Sequence, residues 1–246
     1  MIGGGKNINC SKWKGDIDKA IADVCVKIIQ EPCSYFSEAD IQQMLVEKLR
    51  KTKHIKKNYP TDIERGKGSK GKYDTSLLHR EYGGGDGTRI DIVVFDPDDV
   101  SKINNVGLRD RTQYLKPAYA IELGTEKTTK IRTHVQNDLN KLSRRTKETG
   151  YLIHFYKDST KSKAGTTRRV KTEAKICKQF KQVFDEKPQG NSKVKLLAIL
   201  LRPCRNQKHF RGKCEIFDGR EWAKVDVSKD KELQEAVLKR LRNKKE

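Results

Sequence analysis

The chain has 246 residues, with 54 Lys and Arg against 33 Asp and Glu, so its formal net charge is +21 and its pI is near 9.7. Such an excess repels itself unless a polyanion is the partner, and nucleic acid is the usual one. A mean hydropathy of −0.85, no apolar run long enough to span a bilayer, and an N-terminus (MIGGGKNINC) without a signal-peptide core lead us to expect a soluble intracellular protein with no membrane partner. The length suits one large α/β domain, or a core with an appendage.

Taken in order, the apolar positions Ile17, Ile21, Val24 and Ile28 recur at helical spacing and predict a first helix over 14–30, ended by Pro32. A second helix is expected from Ser37, a good N-cap, with Asp40 placed to complete a capping box and Ile41, Leu45 and Leu49 as its buried stripe. Glu38 lies on that stripe, aimed inward or helped by the helix dipole. The segment 51–72 reads as a polar, basic connection, 73–82 as a first strand, and the glycine-rich 83–87 as the turn into RIDIVVFD, 89–96. No helix with GK[ST] follows those glycines, which excludes a nucleotide P-loop. After Asp96-Pro97 comes an insertion holding Arg109 and Arg111, then the strand AYAIELGTEK, 118–127. A helix over 129–147 and a strand over 150–156 imply a crossover and parallel pairing. Beyond 157, the expectations are a basic mobile loop over 161–169, a helix over 172–185, a buried strand over 194–201, a partner strand over 212–217 and a basic closing helix over 231–242. We divide the chain into 1–157, N-terminal helices and core, and 158–246, an extension packing on the same core or merging with it.

The six cysteines form no CxxC pair, and Cys204, His209 and Cys214 lack an evident fourth ligand, so reduced thiols are expected in place of a zinc site. More informative are two acids that each interrupt an apolar strand, Asp91 and Glu122. Burying a lone carboxylate is costly enough that such residues are normally paired, hydrogen-bonded or bound to a metal. Either acid alone fits a solvated sheet margin; together they suggest a divalent-cation site.

The order helix with Glu38, three strands with Asp91 on the second and Glu122 on the third, helix, strand resembles the PD-(D/E)XK nuclease superfamily over about 37–156. The resemblance implies an α/β fold, restriction-endonuclease-like: an αβββαβ core with a mixed central sheet flanked by helices, plus an N-terminal helix and a C-terminal extension. It implies Asp91 and Glu122 as magnesium ligands, with the Leu123 carbonyl contributing, and Glu38 as an accessory acid. One departure is plain, since the E-x-K lysine position is occupied by Gly124. Candidates to replace it are Lys127, the nearest in sequence and the one favoured, Lys130, Lys141 and Arg89.

The implied activity is Mg2+-dependent hydrolysis of DNA phosphodiester bonds, with Mn2+ able to substitute, by an endonuclease of restriction, repair or mobile-element type. A restriction-type double cut would need two sites and hence a homodimer. Arg109, Arg111, Arg168 and Arg169 are the candidate phosphate contacts. The alternatives are a catalytically inactive basic nucleic-acid-binding protein with the same fold, and an RNA-directed nuclease. His79, His134 and His154 are read as structural.

Overall fold

The computed structural model describes residues 11–32, 34–35, 37–65, 69–83, 88–101, 115–125, 131–157, 175–176, 178–183, 193–201, 213–217, 222–226 and 229–242. Its centre is a mixed seven-stranded sheet whose strands lie side by side in sequence order: β3 (Leu78–Gly83), β4 (Arg89–Val94), β5 (Tyr119–Gly124), β6 (Thr149–Lys157), β7 (Val194–Leu201), β8 (Lys213–Phe217) and β9 (Trp222–Asp226). Pairs β5–β6 and β6–β7 are parallel, and all the others are antiparallel. The three central strands are apolar on both faces, which is why β5 is buried throughout and β7 at every residue but Lys195.

Helices cover both faces. Alternation along β6 sends Tyr151 to one side and His154 and Tyr156 to the other. On the first side lies α1 (Ser11–Gln30), whose buried Asp18 accepts a hydrogen bond from Tyr151 Oη at 2.7 Å and pairs with Lys14 at 2.8 Å. The closing helix α5 (Asp230–Arg242) packs on α1, where Gln30 donates to Asp230. On the opposite side α4 (Ile131–Arg145) lays its stripe of Ile131, Val135, Leu139 and Leu142 against β5 to β7. Gly150 lets it come close, since a Cβ there would stand 3.0 Å from that of Leu142.

The second helix, α2 (Glu38–Arg50), begins as its sequence predicts: Asp40 N–H donates to Ser37 Oγ and Ser37 N–H donates to Asp40 Oδ2. A short α3 (Pro97–Ser101) starts with proline at its first position, and Asp96 Oδ1 accepts from Asp98 N–H at 2.9 Å.

Two expectations are corrected. The basic segment 51–72 is not merely a connection, because it holds β1 (Asn58–Arg65) and the start of β2 (Ser69–Ser76), which form a separate antiparallel hairpin. Consequently 73–82 is not one strand: it is divided between β2 and β3 at Leu77, which is buried while its neighbours change sheets. The closing strand β9 has no counterpart among the expected elements. Among the described residues no helix is long and apolar enough to cross a membrane.

Candidate active site

The last hydrogen-bonded step between β4 and β5 pairs Ile92 with Ile121. Continuing that register by one residue sets Asp91 opposite Glu122, and directly opposed residues of an antiparallel pair share a face. Asp91 stops the ladder here: its Oδ2 accepts from Leu123 N–H at 2.7 Å, taking the place of a backbone partner. Asp91 is half-buried and Glu122 only 2 % exposed, so neither acid stands at a solvated margin.

Charge crowding is evident in their proton affinities. Burial, opposed in part by the Leu123 hydrogen bond, raises the Asp91 pKa to about 6. Burial and the adjacent Asp91 push Glu122 further, to about 9. Glu38, the first residue of α2, is open to solvent; even so, partial desolvation together with Asp91, Asp138 and Glu81 raises it to about 7. These acids therefore share one electrostatic neighbourhood.

The cation that answers them is Lys141 of α4. Its Nζ lies 2.7 Å from Glu122 Oε1 and 3.0 Å from Asp138 Oδ1, and it donates to the Arg89 carbonyl at 3.2 Å. Only the Arg89 contact has hydrogen-bond geometry; the two carboxylates are held by charge, and the buried Glu122 Oε1 has no hydrogen-bond donor among the described residues. Burial alone would lower the Lys141 pKa, but Glu122 and Asp138 outweigh it and hold the ammonium above its ordinary value. Asp138 is likewise driven upward by burial, and contacts from His154 and Lys141 bring it below the usual carboxylate value.

Gly124 now has a physical explanation. A Cβ at this position would stand 2.5 Å from both Cε1 and Nδ1 of His154, the residue beside it on β6. The His154 ring is fully buried, stacks with Tyr156 and meets Phe180 edge-on, with Tyr156 Oη 3.3 Å from Nδ1. Its Nε2 faces Asp138 Oδ2 at 3.6 Å, an electrostatic contact beyond hydrogen-bond range. The space that an E-x-K lysine would use is taken by imidazole, and a lysine reaches Glu122 from the next helix instead.

Gln42 was missed in the sequence. It is buried in α2, donating to the Asp91 carbonyl at 2.9 Å and to Glu81 Oε1 at 2.8 Å, while its Oε1 accepts from Arg80 Nη2 at 2.6 Å. Glu81 lies opposite Asp91 in the β3–β4 register and has a φ of 49°, a left-handed conformation that costs a non-glycine residue energy. A polar residue at spacing 42, 46, 49 within an apolar stripe was the available signal. Lys127 and Lys130, Arg109 and Arg111, Arg168 and Arg169, and Cys204 and His209 all lie outside the described residues. Arg89 is exposed, with its backbone and not its guanidinium on Lys141.

A hard divalent cation takes oxygen ligands and keeps several waters, and Asp91 and Glu122 fit that donor chemistry. Their raised proton affinities are what a cation would relieve. No group of three or more His, Cys, Asp or Glu among the described residues is gathered to hold an ion as it stands. Comparison with family models, curated proteins and solved structures finds no match for this chain.

Proposed function

We propose that the chain is a divalent-metal-dependent nuclease hydrolysing DNA phosphodiester bonds, with a restriction-endonuclease-like core and with Lys141 in the role that the E-x-K lysine has in the superfamily it resembles. The observation that carries this reading is the meeting of Asp91 and Glu122 across β4 and β5 with the Lys141 ammonium 2.7 Å from Glu122. Magnesium or manganese would be held by Asp91 and Glu122, and Leu123 and Glu38 remain proposed as its accessory carbonyl and acid. When bound, the ion supplies Lewis acidity towards water and the phosphate oxygens. Lys141 stays protonated, orients the Glu122 carboxylate and sets positive charge beside the reacting phosphate; Asp138 fixes where that charge stands. Arg109, Arg111, Arg168 and Arg169 remain proposed phosphate contacts, and a homodimer remains the proposed assembly for a double cut.

Incubation of the purified chain with supercoiled plasmid and Mg2+ or Mn2+ tests this: nicking that disappears with EDTA and with Glu122→Gln is expected. A second reading, a non-catalytic nucleic-acid-binding protein, draws on Glu122 being engaged by Lys141. Plasmid that stays supercoiled with either metal, at protein concentrations that bind it, would establish that second reading.

A further inference from the structure

Beside α4 runs a groove of about 710 Å³, bounded by Thr88 and Arg89 at the entry to β4 and by the outer face of the helix. Its lining contains no aliphatic residue and no Phe, Tyr or Trp. A site for an ordinary small organic ligand is walled mainly by apolar side chains, so this lining argues for a hydrophilic, charged occupant. Arg89, Lys141, Arg144 and Arg145 contribute positive charge, against the single carboxylate of Asp138, which Lys141 already engages. Arg145 is also tied to Thr88, its Nη1 donating to the hydroxyl at 3.0 Å. Arg89 and Arg144, by contrast, are exposed and pair with no carboxylate among the described residues.

Helical spacing aligns these groups. Asn137, Asn140, Lys141 and Arg144 recur at intervals of three and four along α4, so they form one polar stripe roughly 10 Å long at 1.5 Å per residue. Its inner wall, Asp138 and Lys141, belongs to the acidic cluster at Glu122. An extended chain of phosphates lying in the groove would therefore pass directly in front of that cluster.

We propose that this groove binds the phosphodiester backbone of the nucleic acid to one side of the scissile phosphate. Arg89 and Arg144 contact the phosphates, and Asn137 and Asn140 hydrogen-bond to the sugar-phosphate edge. The assignment rests on the nuclease reading for what lies at Glu122, and it gives that site an orientation: the backbone runs along α4. Contacts of this kind position a substrate without reading its sequence.

The test uses the full chain in EDTA, where no cleavage occurs, and a short fluorescein-labelled DNA duplex followed by anisotropy over roughly 50–200 mM salt. The Arg89→Ala/Arg144→Ala variant is compared with Lys27→Ala/Lys231→Ala, an exposed pair beside α1 and α5 away from the groove. The groove pair is expected to weaken binding at least about tenfold and to reduce the slope of log K against log salt by about 1.8, at 0.9 per phosphate contact. The control pair should change affinity less than about twofold if the charge acts locally. Glutamine at both arginine positions, retaining bulk without charge, should reproduce the alanine result. Unchanged binding in the groove variants, or equal losses from both pairs, overturns the assignment. Plasmid nicking is scored separately: intact nicking with no groove effect removes the groove alone, and a groove effect without any nicking removes the nuclease reading alone.

Discussion

Replacing Gly124 by alanine is the sharpest probe of why this strand departs from the E-x-K pattern. The Gly124 backbone lies outside the left-handed region, so alanine would be conformationally acceptable. On backbone grounds the change should stabilise by about 0.4–1 kcal/mol, through lost freedom of the unfolded chain. Against this stands the new methyl, 2.5 Å from two ring atoms of His154 and 3.0 Å from a third. The ring cannot swing into solvent, being fully buried between Tyr156 and Phe180. Overpacking of this kind costs about 1–3 kcal/mol. The clash wins, leaving a net loss of about 1–2 kcal/mol at mid-range and a melting temperature lower by about 2–8 °C for a chain of this size. Urea and thermal unfolding of Gly124→Ala, His154→Ala and the double variant provide the assay. Removing the imidazole makes room for the methyl, so the double variant should be more stable than the sum of the two single losses by about 1 kcal/mol or more. A neutral or stabilised Gly124→Ala, or strict additivity, would refute the claim that His154 is what excludes a side chain here.

Three other outcomes follow from the same geometry. Glu38, Asp91 and Glu122 have folded-state pKa values of about 7, 6 and 9, all above their ordinary values, so the folded chain binds protons more tightly than the unfolded one. Their stabilisation is complete below about pH 4 and is lost as pH rises through those values, whereas Asp138, held low, acts only in stronger acid. In EDTA, melting temperature should therefore fall from weakly acidic to alkaline pH, and added Mg2+ should raise it most at the alkaline end; a Mg2+ effect that is flat with pH would contradict the acid assignment. Gln42→Ala leaves the Glu81, Arg80 and Asp91 groups short of partners and should cost about 1–3 kcal/mol in urea unfolding. On the other face of the sheet, Tyr151→Phe removes the 2.7 Å hydrogen bond to buried Asp18 and should cost about 1.5–3 kcal/mol without altering plasmid nicking.

The sequence made the periodic elements legible because each has a strong apolar pattern: the stripe of α4, the capping box of α2 and the unbroken run of β7 all lie where their residues predict. Asp91 and Glu122 stood out for the converse reason, as charges inside such runs. The β1–β2 hairpin was hidden because its strands are polar, with little apolar alternation to distinguish them from a loop. Register was also beyond reach, since nothing local reveals that Ile92 meets Ile121 and so brings the two acids face to face. Proximity in the chain favours Lys127. Distance in space instead selects Lys141, nineteen positions after Glu122, because a parallel crossover returns the helix over the strand it left. The glycine in a buried strand carried a usable sign of close approach, but the neighbour responsible was identifiable only after β6 had been placed beside β5.

The most direct measurement of the central claim is plasmid nicking by Lys141→Met beside the unaltered chain, with DNA binding recorded for both in EDTA. If Lys141 supplies the charge beside Glu122, the variant should lose nicking by about 100-fold or more at protein concentrations that saturate the plasmid in each case, a loss beyond any weakening of binding from its place in the groove wall, and in the range seen on removing a preorganised electrostatic contact. Equal nicking by the two proteins, or none by the unaltered chain with Mg2+ or Mn2+, would contradict it.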